Sequence, residues 1–379
     1  MSSDAQRMVG ARLAGRYRLA RLLGEGGMGA VFEATNAEGT ARCAVKVLSP
    51  EFRDDADVKA RFFDEGRAAA LLDHPGIVRV FEAALAEDGT PFLTMEICEG
   101  QSLGPMIERR VPVPPATAVH IGLGMLAAIG HAHERGVIHR DLKPENVFVS
   151  GDPSAPRVKV LDFGLARVMD AAGGVGRRTR TGMLLGTPGY IAPEQLGDAR
   201  SADGRSDLYS IAVMLFELLS GRDPYPATNP FEKLTIMLTA AAPRIADAAP
   251  QLAAFDAFFR RALAHDPNLR FPTARDMSQA LSAAAAPLVG ALPTPAPTSA
   301  PRPSTAGQHR EVATQMSIAA IQAPEDLSRP PAPPPPSVRV ITATELARKG
   351  RTRRAGLIAA LVAALMLVAL IVFLLAHAR

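Results

Sequence analysis

The chain is 379 residues long, with a net charge of +4 and 47% hydrophobic residues. That allows one large folded domain with accessory segments, and so small a charge imbalance gives no electrostatic footprint for nucleic acid, which is not expected as a partner. Two cysteines, Cys43 and Cys98, stand in unrelated contexts; they exclude a disulfide framework and a zinc centre and fit a reducing compartment.

The opening MSSDAQRMVGAR carries no apolar run, so no signal peptide is expected and residues 1–14 read as a flexible N-terminus. Strand-like pieces follow at YRLARLLGEGG, AVFEA and ARCAVKVL. Residues 57–72 read as a helix, with Val58, Phe62, Glu65, Ala69 and Leu72 on one face by three-and-four spacing. Strands are predicted at 77–86 and 91–97. Beyond residue 100 the pattern turns helical, most clearly over 116–135 and 206–219. A small β-rich lobe of about 15–98 followed by a helical lobe of about 99–285 is the expected α+β architecture.

LGEGGMGAV places Gly24, Gly26 and Gly29 in a G-x-G-x-x-G spacing. Alone the pattern is weak, because a dinucleotide site needs a helix after the glycines. Here AVFEA alternates as a strand, so the glycines join two strands of a hairpin. Such a tip is either an ordinary turn or a lid whose backbone N–H groups approach a polyphosphate.

Two charges sit on apolar surfaces. Lys46 lies in the strand CAVKVL and Glu65 on the apolar helix face. Either buried alone would be costly, and a mutual ion pair removes the difficulty. Lys46 could then reach phosphates beneath the glycine hairpin.

HRDLKPEN, residues 139–146, is a dense polar loop between two apolar segments. Phosphoryl transfer to a hydroxyl needs a carboxylate to orient the nucleophile, a cation along the phosphate and oxygen ligands for Mg²⁺. Asp141, Lys143 and Asn146 supply these in turn. Asp162, at the end of the strand-like VKVLD, supplies a second metal ligand, and Gly164 lets the backbone turn away. His139 reads as a packed structural residue rather than a base.

Together GEGGMGAV, Lys46 in AVK, Glu65, HRDLKPEN, DFG at 162–164 and GTPGYIAPE at 186–194 resemble a protein kinase of the serine/threonine type, most like the bacterial Hanks-type members. The resemblance covers about residues 17–285. It implies a bilobal fold that binds ATP and Mg²⁺, with Mn²⁺ as an alternative ion, in the cleft between the lobes, and protein substrates. It implies that ATP lies among Leu23, Gly24, Gly26, Gly27, Gly29, Val31, Ala44 and Lys46. Met95 would be the gatekeeper, with Glu96 and Cys98 offering backbone groups to adenine. Thr187 would sit near Asp141 and Lys143. Glu194 would pair with Arg270, and Asp207 would hold the catalytic loop from a buried helix. Ala212 stands where many members carry glycine, a tolerated departure. The serine/threonine assignment rests on Lys143 in DLKPEN and on the GTPGY segment.

Arg140, beside the base, together with the arginine-rich RRTRTGMLLGT, points to regulatory phosphorylation at Thr179 or Thr181: a phosphate there would attract arginines and order the loop.

Residues 286–355 are rich in Pro and Ala and read as a disordered linker, with proline runs that could dock an SH3-like partner. Residues 356–376 carry neither a charge nor a strongly polar side chain, enough as a helix to cross a hydrocarbon core of about 30 Å. Arg348, Lys349, Arg351, Arg353 and Arg354 precede them and should stay cytoplasmic. The expectation is a single-pass inner-membrane protein with residues 377–379 outside, no extracytoplasmic sensor of its own, and self-association that favours phosphorylation between neighbours. Two other readings make different demands. A pseudokinase scaffold would be expected to lack Lys46, Asp141, Asn146 or Asp162. A small-molecule phosphotransferase of related fold would not need GTPGYIAPE.

Overall fold

In the computed structural model, residues 4–26, 29–163, 188–197 and 202–289 are described; within the second helix the side chains of Arg61 and Glu65 are not. The elements are α1 (Asp4–Arg7), β1 (Arg12–Leu13), β2 (Tyr17–Gly26), β3 (Gly29–Asn36), β4 (Arg42–Leu48), α2 (Ala56–Ala70), β5 (Val80–Leu85), β6 (Pro91–Met95), β7 (Gln101–Ser102), α3 (Gly104–Glu108) and α4 (Pro115–His133). Then come β8 (Val147–Ser150), β9 (Arg157–Val160), α5 (Pro193–Gly197), α6 (Gly204–Ser220), α7 (Pro230–Thr239), α8 (Ile245–Ala248), α9 (Asp256–Ala262) and α10 (Ala274–Val289).

The first lobe is an antiparallel sheet in the order β1-β2-β3-β4-β6-β5. The period-two alternation of β4 splits its side chains between two cores. Cys43, Val45 and Val47 pack with Tyr17, Phe32 and Phe92 on one face. Ala44 and Leu48 pack on the other with Val58 and Phe62 of α2. Lys46 belongs by phase to this second face, beside the cleft. Helix α2 starts where Asp55 caps it, its carboxylate accepting from the N–H groups of Asp57 and Val58 at 3.0 Å each. Val58, Phe62 and Ala69 on its predicted apolar face are buried.

The second lobe is built around α4 and α6. Every residue of α6 from Ser206 to Ser220 is buried, as expected of a helix at the centre of a lobe. Asp203 caps its start, accepting from the N–H of Arg205 at 2.8 Å. Gly221 ends it at φ +68°, where an added Cβ would lie 2.8 Å from the Arg110 carbonyl oxygen, so the chain must turn on a glycine. By length and composition α4 would suit a membrane span. Its Ala118, Val119, Ile121, Met125 and Ile129 are instead packed in the lobe core.

Three differences from the sequence reading matter. Residues 4–13, expected as flexible, form α1 and β1, because Ala5 and Leu13 find room in the apolar cluster around Tyr17 and Phe92. The strand predicted over 77–86 begins only at Val80. Its first residues pair across the lobes: Val78 N–H donates to the Val160 carbonyl at 2.9 Å, and Val160 N–H to the Gly76 carbonyl at 2.8 Å. The last helix runs to Val289, four residues beyond the expected boundary of 285 and through Pro287. Gly27 of the hairpin tip, the predicted linker from 290 on and the predicted span at 356–376 lie outside the described residues.

Candidate active site

The cleft is roofed by the β2–β3 hairpin, whose register pairs Gly24 with Val31 and Gly26 with Gly29. Gly29 has φ +156°, and a Cβ there would meet the Val47 carbonyl oxygen at 2.0 Å. Only glycine lets β3 lie this close to β4. Leu23 is 40% exposed on the hairpin. Val31, Ala44, Met95, Cys98 and Leu161 join one apolar cluster along the cleft. Leu161 was not singled out from sequence, since an apolar residue before Asp162 reads as ordinary strand.

At the back of the cleft the Glu96 N–H donates to the Arg79 carbonyl at 3.0 Å. The Glu96 carbonyl and the Cys98 N–H take no hydrogen-bond partner among the described residues. These two groups suit an adenine edge. Burial pushes the Cys98 thiol up to about 11, so it stays a neutral, packed thiol.

Lys46 is 7% exposed, and its Nζ donates to Asp162 Oδ1 at 2.8 Å, joining the two lobes. Burial alone would raise the Asp162 carboxyl, but the charge and hydrogen bond of Lys46 hold it below the usual carboxylate range. Glu65, the partner expected for Lys46, is on α2, and its side chain lies outside the described residues.

The HRDLKPEN loop is held from below. Asp207, buried on α6, accepts from the His139 N–H at 2.9 Å, from the Arg140 N–H at 2.7 Å and from His133 Nε2 at 2.7 Å. Arg140 at φ +67° and Asp162 at φ +57° occupy left-handed backbone, which costs a non-glycine residue roughly 1–2 kcal/mol. The paired N–H bonds to Asp207 offset that cost at Arg140. Gln195 of α5 donates from Nε2 to the Arg140 carbonyl at 3.0 Å, and its Oε1 accepts from the Ala192 N–H at 3.1 Å. Neither Gln195 nor His133 was picked out from sequence. A glutamine beyond APE and a histidine late in a helix carry no pattern that separates them from surface residues.

On the loop itself, Lys143 Nζ donates to Asp141 Oδ2 at 2.7 Å. Asn146 is buried, and its Nδ2 donates to the Asp141 carbonyl at 2.9 Å. That bond uses the amide nitrogen and leaves Oδ1 as the available end. The Leu161 N–H donates to the Asn146 carbonyl at 2.9 Å, which sets Asp162 beside it. Asn146 and Asp162 thus form an all-oxygen donor set, which fits a hard cation such as Mg²⁺. His139 is fully buried, its Nε2 hydrogen-bonded to the Leu161 carbonyl at 2.8 Å and its ring 4.9 Å from that of Phe163.

Below the site, Arg270 is 2% exposed and grips Glu194 with two bonds, 2.8 and 2.7 Å. It also donates to the carbonyls of Ala264 at 2.7 Å and His265 at 3.0 Å. Burial would raise Glu194, but Arg270 holds its carboxyl below the usual range. Gly164, Thr179, Thr181 and Thr187 lie outside the described residues.

The protein kinase domain family matches residues 17–281. Serine/threonine-protein kinase pkn3 of Myxococcus xanthus is 40% identical over 227 residues, covering 60% of this chain and 41% of that protein. Serine/threonine-protein kinase PknF of Mycobacterium tuberculosis is 36% identical over 269 residues, covering 70% of this chain and 55% of that protein. The chain therefore spans about half the length, or less, of these curated relatives. Among solved structures, the PknI kinase domain of Mycobacterium tuberculosis is similar with a TM-score of 0.56 at 28% identity, covering 73% of this chain and 98% of that one.

Proposed function

We propose, since this chain belongs to the protein kinase family, that it transfers the terminal phosphoryl group of ATP to serine and threonine hydroxyls of proteins. The observation that carries this reading is Lys46 reaching Asp162 at 2.8 Å across the cleft, opposite a loop presenting Asp141, Lys143 and Asn146. Lys46 is placed to hold the α and β phosphates. Asp141 orients the hydroxyl and takes its proton, and Lys143 faces the charge on the moving phosphoryl group. Asn146 and Asp162 would hold Mg²⁺, or Mn²⁺ in its place, which would neutralise charge on the phosphates. The catalytic domain of this reading runs from about residue 15 to Val289.

The test is incubation of the purified chain with γ-labelled ATP, Mg²⁺ and a generic protein substrate. Label is expected on phosphoserine and phosphothreonine. Label confined to a small molecule, or absent, overturns the reading.

The same proposal extends to regulation. Arg140 has no acidic partner among the described residues, and Thr179 and Thr181 stand among Arg177, Arg178 and Arg180. Phosphate on either threonine recruits these cations and orders the segment before Glu194. A Thr179→Ala/Thr181→Ala variant is expected to lose most activity. Full activity in that variant, or in protein shown by mass spectrometry to carry neither phosphate, removes the regulatory part and leaves the chemistry.

Residues 356–376 are proposed as a single membrane span with the catalytic domain cytoplasmic. The linker lets two anchored copies meet, which favours phosphorylation between neighbours. Full-length protein is expected in the membrane fraction, released by detergent. A chain ending at Pro335 is expected to be soluble and to activate itself more slowly on dilution. Full-length protein soluble without detergent overturns the anchor.

A further inference from the structure

The cleft chemistry leaves one cross-lobe charge pair unexplained. Lys159 on β9 donates from Nζ to Glu96 Oε1 at 2.5 Å. The same oxygen accepts from the Arg79 N–H at 2.8 Å, while the Glu96 N–H donates to the Arg79 carbonyl at 3.0 Å. Lys159 also reaches the Ile77 carbonyl at 3.4 Å. Its own strand is tied to the 76–78 segment through Val160. Three chain segments therefore converge on one carboxylate: the connection between the lobes at Glu96, the 77–79 stretch, and β9 of the helical lobe. The two side chains are 30% and 29% exposed, drier than a free surface pair and short enough to be held.

We propose that Lys159 is a positioning residue for nucleotide binding, acting through Glu96 to hold the peptide edge that meets adenine. This rests on the kinase reading above. Two groups without a hydrogen-bond partner among the described residues, the Glu96 carbonyl and the Cys98 N–H, lie on the peptide run that this pair anchors. A carboxylate anchored by both Lys159 and Arg79 fixes the rotation of the Glu96 peptide. With Lys159 gone, Arg79 alone restrains it, and the edge must be ordered when nucleotide binds. Ordering on binding weakens affinity without touching the phosphoryl-transfer groups.

The experiment uses the full chain as wild type, Lys159→Met and Lys159→Arg. Dissociation of a non-hydrolysable ATP analogue is measured by calorimetry, and amide hydrogen exchange over 95–99 is followed without nucleotide. Where the chain turns over, KM for ATP and kcat are separated. Lys159→Met should weaken analogue binding about five-fold or more, quicken exchange over 95–99, and raise KM while kcat stays within about two-fold. Lys159→Arg should restore all of these. Glu96→Gln combined with Lys159→Met should cost less than the sum of the single changes. Unchanged affinity and exchange in Lys159→Met overturn the proposal, and so does a rise in kcat at constant affinity, which would make the pair a restraint on turnover. Binding and exchange are read without catalysis, so a wild type that transfers no phosphate defeats the kinase reading and leaves this test standing.

Discussion

Asp141→Asn is expected to lower kcat about 10³-fold, the range for removing a positioned acid–base group, while the ATP KM moves little. The variant keeps the backbone carbonyl that accepts from Asn146 at 2.9 Å, so the oxygen donors at Asn146 and Asp162 remain placed. It loses the carboxylate that Lys143 meets at 2.7 Å. That pair is partly exposed, 27% for Lys143 and 35% for Asp141, so its loss should change stability by less than about 1 kcal/mol. The signature is a catalytic defect in a protein that melts normally. The measurement is kcat and KM beside a thermal scan, with Lys46→Met as the blank for contaminating kinases. Activity within ten-fold of wild type would take the proton-accepting role away from Asp141.

Arg270→Ala is expected to have the largest effect on stability. The guanidinium is buried over the Tyr209 ring, 4.7 Å from its centroid, and makes two bonds to Glu194. Removing it takes two charged bonds from a mostly buried carboxylate that keeps the Ser206 hydroxyl at 2.7 Å, and takes a donor from the carbonyls of Ala264 and His265. Breaking a buried pair in this way costs about 3–5 kcal/mol, which for a domain of this size is a fall in Tm of roughly 10 °C. The pH dependence has a definite sign. Glu194 is held below its ordinary pKa in the folded chain, so its contribution is complete above the unfolded value and is lost as pH falls through the folded one. The Tm gap between wild type and Glu194→Gln should therefore be widest near neutrality and close in acid. A gap that widens in acid would mean that the carboxylate is not what Arg270 stabilises.

Much of this arrangement was legible before any coordinates. The alternation of AVFEA after the glycines made a hairpin rather than a strand–helix turn, and Gly24 does pair with Val31. CAVKVL read as an apolar strand carrying Lys46, and every residue from Cys43 to Leu48 is buried. What stayed hidden has physical causes. Period-two alternation says that residues 77–86 are extended but not which strand they pair with, and the first of them turn to β9. A charge on an apolar face demands a partner: Glu65, whose side chain lies outside the described residues, was expected, and Asp162, 116 positions from Lys46, to which Lys46 donates, was not. The left-handed backbone at Arg140 and Asp162 is likewise unmarked in the sequence, because neither position is glycine. The bond from Gln195 to Arg140 depends on a short helix meeting a distant loop, which no local pattern encodes.

The doubly bonded Val160 has a mechanical consequence. It belongs to a strand of the helical lobe yet donates to Gly76 and accepts from Val78 of the other, so any opening of the two bodies pivots close to it. Displacement in a rotation grows with the lever arm. Asp162 is two residues from Val160, at most about 7 Å along the chain, whereas the tip at Gly26 and Gly29 lies at the far end of a ten-residue strand. In a rotation about this point the carboxylate would stay in register with Asn146 while the glycine tip swept the greater arc. In such an opening the jaws would be asymmetric, one travelling and the other serving as the anvil.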